Sequence, residues 1–222
     1  MENIMKLSEQ TVEVLQNFST INQSLLFREG RTLRTVSPQK TVLAEVEVGD
    51  EFAQDFGIYD LGQFLSALSL VENPELDLGD NGMTISDGNG TSLNYRYADA
   101  SMIVTPPEKA LTLPDINASF KLSSNVLRDV LQGARVLGLP EIIVKCVDEV
   151  VTIEAGDSKN SSMNSYSKKV AIADEDFTHI FKVDNMKMMM LDYNVEISSK
   201  GISKFSTEDG RVTYFVATES RN

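Results

Sequence analysis

Buried-type and polar positions alternate along this chain in two rhythms. Thr11, Val14, Leu15 and Phe18 recur at the three-to-four spacing of one helix face, and Ser8 stands where an N-cap hydroxyl belongs. Beyond that helix the period drops to two. LLFREGRTLRTV and KTVLAEVEV are strand-like, with Thr41, Leu43, Glu45 and Glu47 alternating against Val42, Ala44, Val46 and Val48. Asp60 is placed to cap a short helix presenting Phe64, Leu65 and Leu68. Further on, Val126, Leu127, Val130, Leu131 and Ala134 predict one face of another helix, and EIIVKCVDEVVTIEAG predicts a hairpin turning near Val147, Asp148 and Glu149. Phe177, His179 and Phe181 read as one face of a strand. Two short helices against several antiparallel strands in each half define an α+β class.

The clearest break is TPPEKALTLPDI. Pro106, Pro107 and Pro114 with no clean periodicity predict a stiff, extended connector over 105–116, close to mid-chain. Residues 1–104 and 117–222 are then two domains of similar size. The halves also resemble each other. KLSEQTVEVLQNF from Lys6 aligns with KLSSNVLRDVLQGA from Lys121, and IYDLGQFL from Ile58 parallels KVDNMKMM from Lys182, each with an Asp able to cap a helix. A pair of alternating segments joined by a Gly-bearing turn follows in both: GMTISD with TSLNYRYAD, and GISKFSTEDG with RVTYFVATE. An internal duplication accounts for this order economically.

Composition narrows the chemistry. The 222 residues include one Cys and one His, so an internal disulfide and a structural zinc site are excluded, and a Cys-His or Ser-His mechanism would have to run through His179, which reads as an ordinary strand residue rather than a general base. No metal or cofactor is expected. GDNG from Gly79 and DGNG from Asp87 lack phosphate-loop spacing and read as hairpin turns. The paired carboxylates, such as Glu45 with Glu47 and Asp174 to Asp176, read as solvated surface. Met186 to Leu191 are expected to fill core from a short helix, with an adaptable binding surface as the other reading. No apolar run approaches the roughly 18 residues of a membrane span, and the N-terminus lacks a secretory pattern; the expected location is a cytosol.

The balance of 20 basic against 33 acidic side chains gives a net charge of -13, so ordinary DNA binding by a basic domain is not expected. The few basic residues therefore carry information. Arg128, Gln132 and Arg135 lie at i, i+4 and i+7, on the polar side of their helix, where a local and weak approach to phosphates is open to them.

Several segments, in order, resemble the T-even-type bacteriophage sliding clamps. IYDLGQFLSALSLV at 58–71 is similar to that family's second-helix segment, and MKLSEQTVEVLQNFSTIN to its opening helix. NMKM at 185–188, the following Asp-Tyr-Asn and the closing TYFVATES are similar to its C-terminal domain. The resemblance runs from Met5 to Ser220 and is weakest over 157–177.

It implies a non-enzymatic processivity factor: a homotrimeric ring around double-stranded DNA, helices lining the hole and sheets forming the wall. The ring would tether the DNA polymerase through its C-terminal peptide, be opened by an ATP-driven clamp loader, and serve late transcription with sigma-like factors, in the cytoplasm of an infected bacterium. Carried over by position, Arg135 and Lys187 match basic residues of the family; Lys6, Lys121, Arg128 and Lys182 are expected beside them facing DNA. Leu111, Leu113 and Ile116 of the connector, with Phe215 and Ala217 of the last strand, are the expected partner-peptide pocket. Leu93–Tyr97 against Met163–Val170 is the expected junction between subunits. This chain departs from the family where lysines are usual: Glu9, Glu13 and Gln16 line the polar side of the opening helix, and Gln132 replaces a basic residue. The alternative is an oligomeric adaptor that keeps the duplicated fold without encircling DNA.

Overall fold

The computed structural model describes residues 4–160 and 162–219, so Ser220, the end of the closing segment above, lies outside the described residues. The chain divides into two compact units, Met1–Glu108 and Lys109–Asn222. Their boundary falls in a stretch, 103–115, that forms neither helix nor strand. Prolines at 106, 107 and 114 remove ladder donors and hold the backbone extended there.

The first unit contains β1 (Ile4–Met5), α1 (Glu9–Ile21), β2 (Leu25–Phe27), β3 (Gly30–Val36), β4 (Val42–Phe52), β5 (Phe56–Ile58), α2 (Leu61–Ser69), β6 (Glu75–Leu78), β7 (Gly82–Ser86) and β8 (Ser92–Arg96). Four strands pair antiparallel in the order β1-β6-β7-β8, β3 pairs with β4, and β2 pairs with β5. α1 buries the expected Thr11, Val14, Leu15 and Phe18, together with Ile21. Its start is fixed by Ser8, whose Oγ accepts from the Thr11 N–H at 3.3 Å while the Asp50 carboxylate accepts from the Ser8 N–H at 2.7 Å. Asp60 caps α2 as expected, accepting from the Gln63 N–H at 2.9 Å. Phe27, Phe52 and Phe56 pack together beside the β2–β5 pair, with the Phe27 and Phe56 rings stacked at 4.4 Å.

The second unit contains β9 (Ile116–Leu122), α3 (Ser124–Leu137), β10 (Glu141–Val147), β11 (Val150–Gly156), β12 (Tyr166–Ile172), β13 (Phe177–Lys182), β14 (Tyr193–Ser198), β15 (Ile202–Ser206) and β16 (Val212–Ala217). One antiparallel sheet runs β12-β11-β10-β13, and β9, β14, β15 and β16 pair in that order in a second. Asp148 and Glu149, at φ 50° and 64°, form the tight turn between β10 and β11. α3 buries Leu127, Val130 and Ala134 and ends at Gly138, whose φ of 65° is the left-handed conformation that closes a helix.

The Met-rich segment corrects an expectation. Around Asp184 only a single 3-10 turn forms, Val183–Asn185, with no side-chain cap, and no α-helix carries Met186 to Leu191. Two buried tyrosines explain why. The Met189 N–H donates to the Tyr214 hydroxyl at 3.3 Å, and its carbonyl accepts from the Tyr193 hydroxyl at 2.7 Å. Those bonds take the backbone groups a helix would use. Met186 and Met188 still fill core, from an extended backbone.

Candidate nucleic-acid interface

α3 sorts its side chains by periodicity: Leu127, Val130 and Ala134 pack inward, which leaves Arg128, Gln132 and Arg135 exposed together on the opposite side. The two arginines are seven positions apart, about 10.5 Å along the axis. Arg128 donates to the Asn125 Oδ1 at 3.0 Å. Among the described residues, no carboxylate forms an ion pair with Arg128 or Arg135. The one acid on this helix, Asp129, is drawn to Lys168 of β12, and their contact raises the Lys168 ammonium above its ordinary value. Asp129 is thereby held away from the arginines.

Beside the arginines lies an open cleft of about 580 Å³, floored by Leu131, Leu139, Met186 and Met190 and rimmed by Arg128, Gln132 and Arg135. At the start of α3, Asp192 accepts from the Ser124 N–H at 2.7 Å, and this bond holds its carboxyl below the usual range.

The remaining basic candidates do not themselves line this cleft. Lys6 contacts Glu75 at 3.0 Å, Lys182 contacts Glu219 at 3.3 Å, and Lys121 reaches Glu208 at 4.0 Å. Lys121 is on β9 rather than on a helix, on the outward face of its sheet. Lys187 is exposed between buried Met186 and Met188. Of the residues expected to face DNA, the structure thus brings Arg128, Gln132 and Arg135 into one surface.

The expected peptide-pocket residues are apolar and accessible. Leu111 and Ile116 are exposed, and Leu113, Phe215 and Ala217 are half-buried. Phe215 and Ala217 lie on the outward face of β16, since Tyr214 and Val216 point to the core. Ile116, opposite Ser198 at the start of β9, is three strands from β16 in the paired order, about 14 Å. The end of the connector is tied down where the Ser199 N–H donates to the Asp115 carbonyl at 3.1 Å and the Ser198 hydroxyl donates to the Pro114 carbonyl.

β8 ends the four-stranded sheet of the first unit and β12 that of the second, each with one edge unpaired among the described residues. Tyr166 of β12 packs against Gly133 of α3, a close approach that periodicity does not reveal. The sequence signal for it is a glycine in mid-helix.

These features define a two-unit α+β protein with helices, unpaired sheet edges and one cationic surface, and no cluster of His, Cys, Asp or Glu among the described residues that could hold a metal ion. No helix among them is long and apolar enough to cross a membrane. Residues 6–105 match the family described as DNA polymerase processivity factor, and residues 119–220 match the gp45 sliding clamp, C terminal. The sliding clamp of Vibrio phage KVP40 is 35% identical over 97% of this chain and 100% of its own length. That of Enterobacteria phage T4 is 29% identical over 97% of each. Among solved structures, PCNA of A. fulgidus, bound to a C-terminal region of FEN-1, superposes with a TM-score of 0.72 at 16% identity over 99% of this chain and 98% of that one. PCNA of Thermococcus kodakaraensis gives 0.70 at 15% over 97% and 98%. The fold is that of a DNA clamp. The chain belongs to the phage sliding-clamp family, the processivity factors of phage DNA polymerases, which are scaffolds rather than enzymes.

Proposed function

We propose that this clamp is a homotrimeric ring that encircles duplex DNA in the cytoplasm of an infected bacterium and tethers the polymerase by topology. The observation that carries the reading is the pair of open edges, β8 and β12, one in each unit. Joining β8 of one subunit to β12 of the next is a head-to-tail contact, and such contacts either close into rings or run on as filaments. Closure satisfies the edge donors and acceptors of both strands. Arg128, Gln132 and Arg135 face the DNA, with Lys6, Lys121, Lys182 and Lys187 as further basic candidates around them. Weak, sequence-blind attraction to phosphates suits sliding.

The polymerase's C-terminal peptide docks on the apolar surface of Leu111, Leu113, Ile116, Phe215 and Ala217. An ATP-driven loader opens the ring, and the same surface serves sigma-like factors of late transcription. The test is retention on nicked circular DNA after loading. The ring reading predicts retention that linearising the circle abolishes; equal retention on both forms, or on neither, contradicts it and leaves a non-encircling adaptor.

A further inference from the structure

The charge of this chain is divided very unevenly. Residues 1–108 hold six basic and 17 acidic side chains, a balance of -11; residues 109–222 hold 14 and 16, a balance of -2. The helices follow the same division. The exposed side of α1 is Glu9, Gln10, Glu13 and Gln16, and that of α2 is Gln63, Ser66 and Ser69, with no basic residue on either. Four of the first unit's six basic side chains are held in ion pairs: Lys6–Glu75, Arg28–Asp55, Arg31–Glu51 and Arg34–Glu45. The other two lie off the helices, Lys40 in the turn between β3 and β4 and Arg96 on β8. In the second unit, by contrast, α3 presents Arg128 and Arg135 free of ion pairs among the described residues, and Asp129 is held by Lys168.

From this we infer that attraction for the DNA backbone is confined to the second unit, at the cleft between α3 and the Met segment, and that α1 of the first unit holds DNA off. The inference rests on the clamp reading above and makes it more specific. A ring of three such chains carries three cationic patches, one on each second unit, instead of a continuous basic lining. The phosphates meet the guanidiniums of Arg128 and Arg135. The apolar floor of Leu131, Met186 and Met190 beside them offers the deoxyriboses a surface without competing charge. Glu9 and Glu13, one turn apart on α1, repel phosphates that drift toward the first unit.

The test is binding of a short blunt-ended DNA duplex to the full-length protein, followed by fluorescence anisotropy over a salt series, with light scattering confirming that each variant keeps the parent's mass. Replacing Arg128 and Arg135 together by Ala lowers affinity about tenfold at low salt and flattens the log–log salt slope by about 0.9 for each phosphate that is no longer neutralised. Replacing Glu9 and Glu13 together by Gln raises affinity several-fold without flattening the slope. Amide NMR of the deuterated parent shows duplex-induced shifts on α3 and 183–190 and none on α1. An arginine variant that binds like the parent, a glutamine variant with unchanged affinity, or equal shifts on α1 and α3 each overturns the confinement while leaving the clamp reading standing. A parent that neither binds duplex at any salt nor is retained on nicked circles removes both.

Discussion

The Tyr166 ring of β12 lies so close to Gly133 of α3 that a Cβ placed on the glycine would stand 2.9 Å from the ring's Cγ and Cδ1. The contact joins the helix proposed to face DNA to the edge strand proposed to close the ring. On an unencumbered helix surface, Gly133→Ala would stabilise the protein by up to about 1 kcal/mol through helix propensity. Here the methyl meets the base of the tyrosine ring, which has no free end to swing away. The expected result is a net loss of about 1–3 kcal/mol, the usual cost of overpacking, read from the denaturant midpoint. Gly133→Ala in a Tyr166→Ala background recovers the propensity gain.

The tyrosine clamp on Met189 gives a second prediction. Burial pushes the hydroxyls of both Tyr193 and Tyr214 well above their ordinary value, so they stay protonated across the physiological range. Tyr214→Phe leaves the Met189 N–H without its acceptor, at a cost of about 1–3 kcal/mol. Hydrogen exchange at the Met189 amide accelerates in this variant, whereas amides in β10 and β11 exchange more slowly than Met189 does.

Much of this architecture is legible in the residue pattern alone. Ser8 and Asp60 read as caps because a short acceptor before an apolar stripe has few other uses; α1 buries every side chain its spacing picks out, and α3 buries Leu127, Val130 and Ala134 but leaves Val126 and Leu131 half-buried. The hairpins β7–β8, β10–β11 and β15–β16 follow from alternation and turn residues. The Met segment reads as helix because methionine favours helix locally, while Tyr193 and Tyr214 capture its backbone from strands that follow it in sequence. β5 and β6, at three and four residues, are too short to show a period. For the site, helical spacing brings Arg128, Gln132 and Arg135 together. It does not reveal that Lys6 and Lys182 are paired with carboxylates, because those partners are remote in sequence.

Acid pH tests the cap at Asp60. Its carboxylate accepts from the Gln63 N–H and from Gln23, which holds the folded-state pKa below the ordinary 3.8. A lowered folded pKa contributes stability that is fully present above 3.8 and lost as pH falls below it. The difference in melting temperature between the parent and Asp60→Ala is therefore constant from neutral pH down to about 5 and shrinks below 3.8. A difference that stays constant to the lowest pH at which both remain folded would refute the assignment.

For the partner surface, polar replacement of Leu113 and Phe215 together abolishes calorimetric binding of the polymerase's C-terminal peptide. Both side chains are only half-buried, so the protein keeps its fold and its solution mass. Undiminished peptide affinity would remove this surface from the account.

The ring itself is tested most directly by the mass in solution, measured by light scattering after size exclusion across a dilution series. Each subunit is 24.5 kDa, and three give 73.5 kDa. The account predicts that larger mass at high concentration, with dissociation only on dilution. A species of 24.5 kDa at every concentration, or a mass that grows without a plateau as a filament's does, would contradict it.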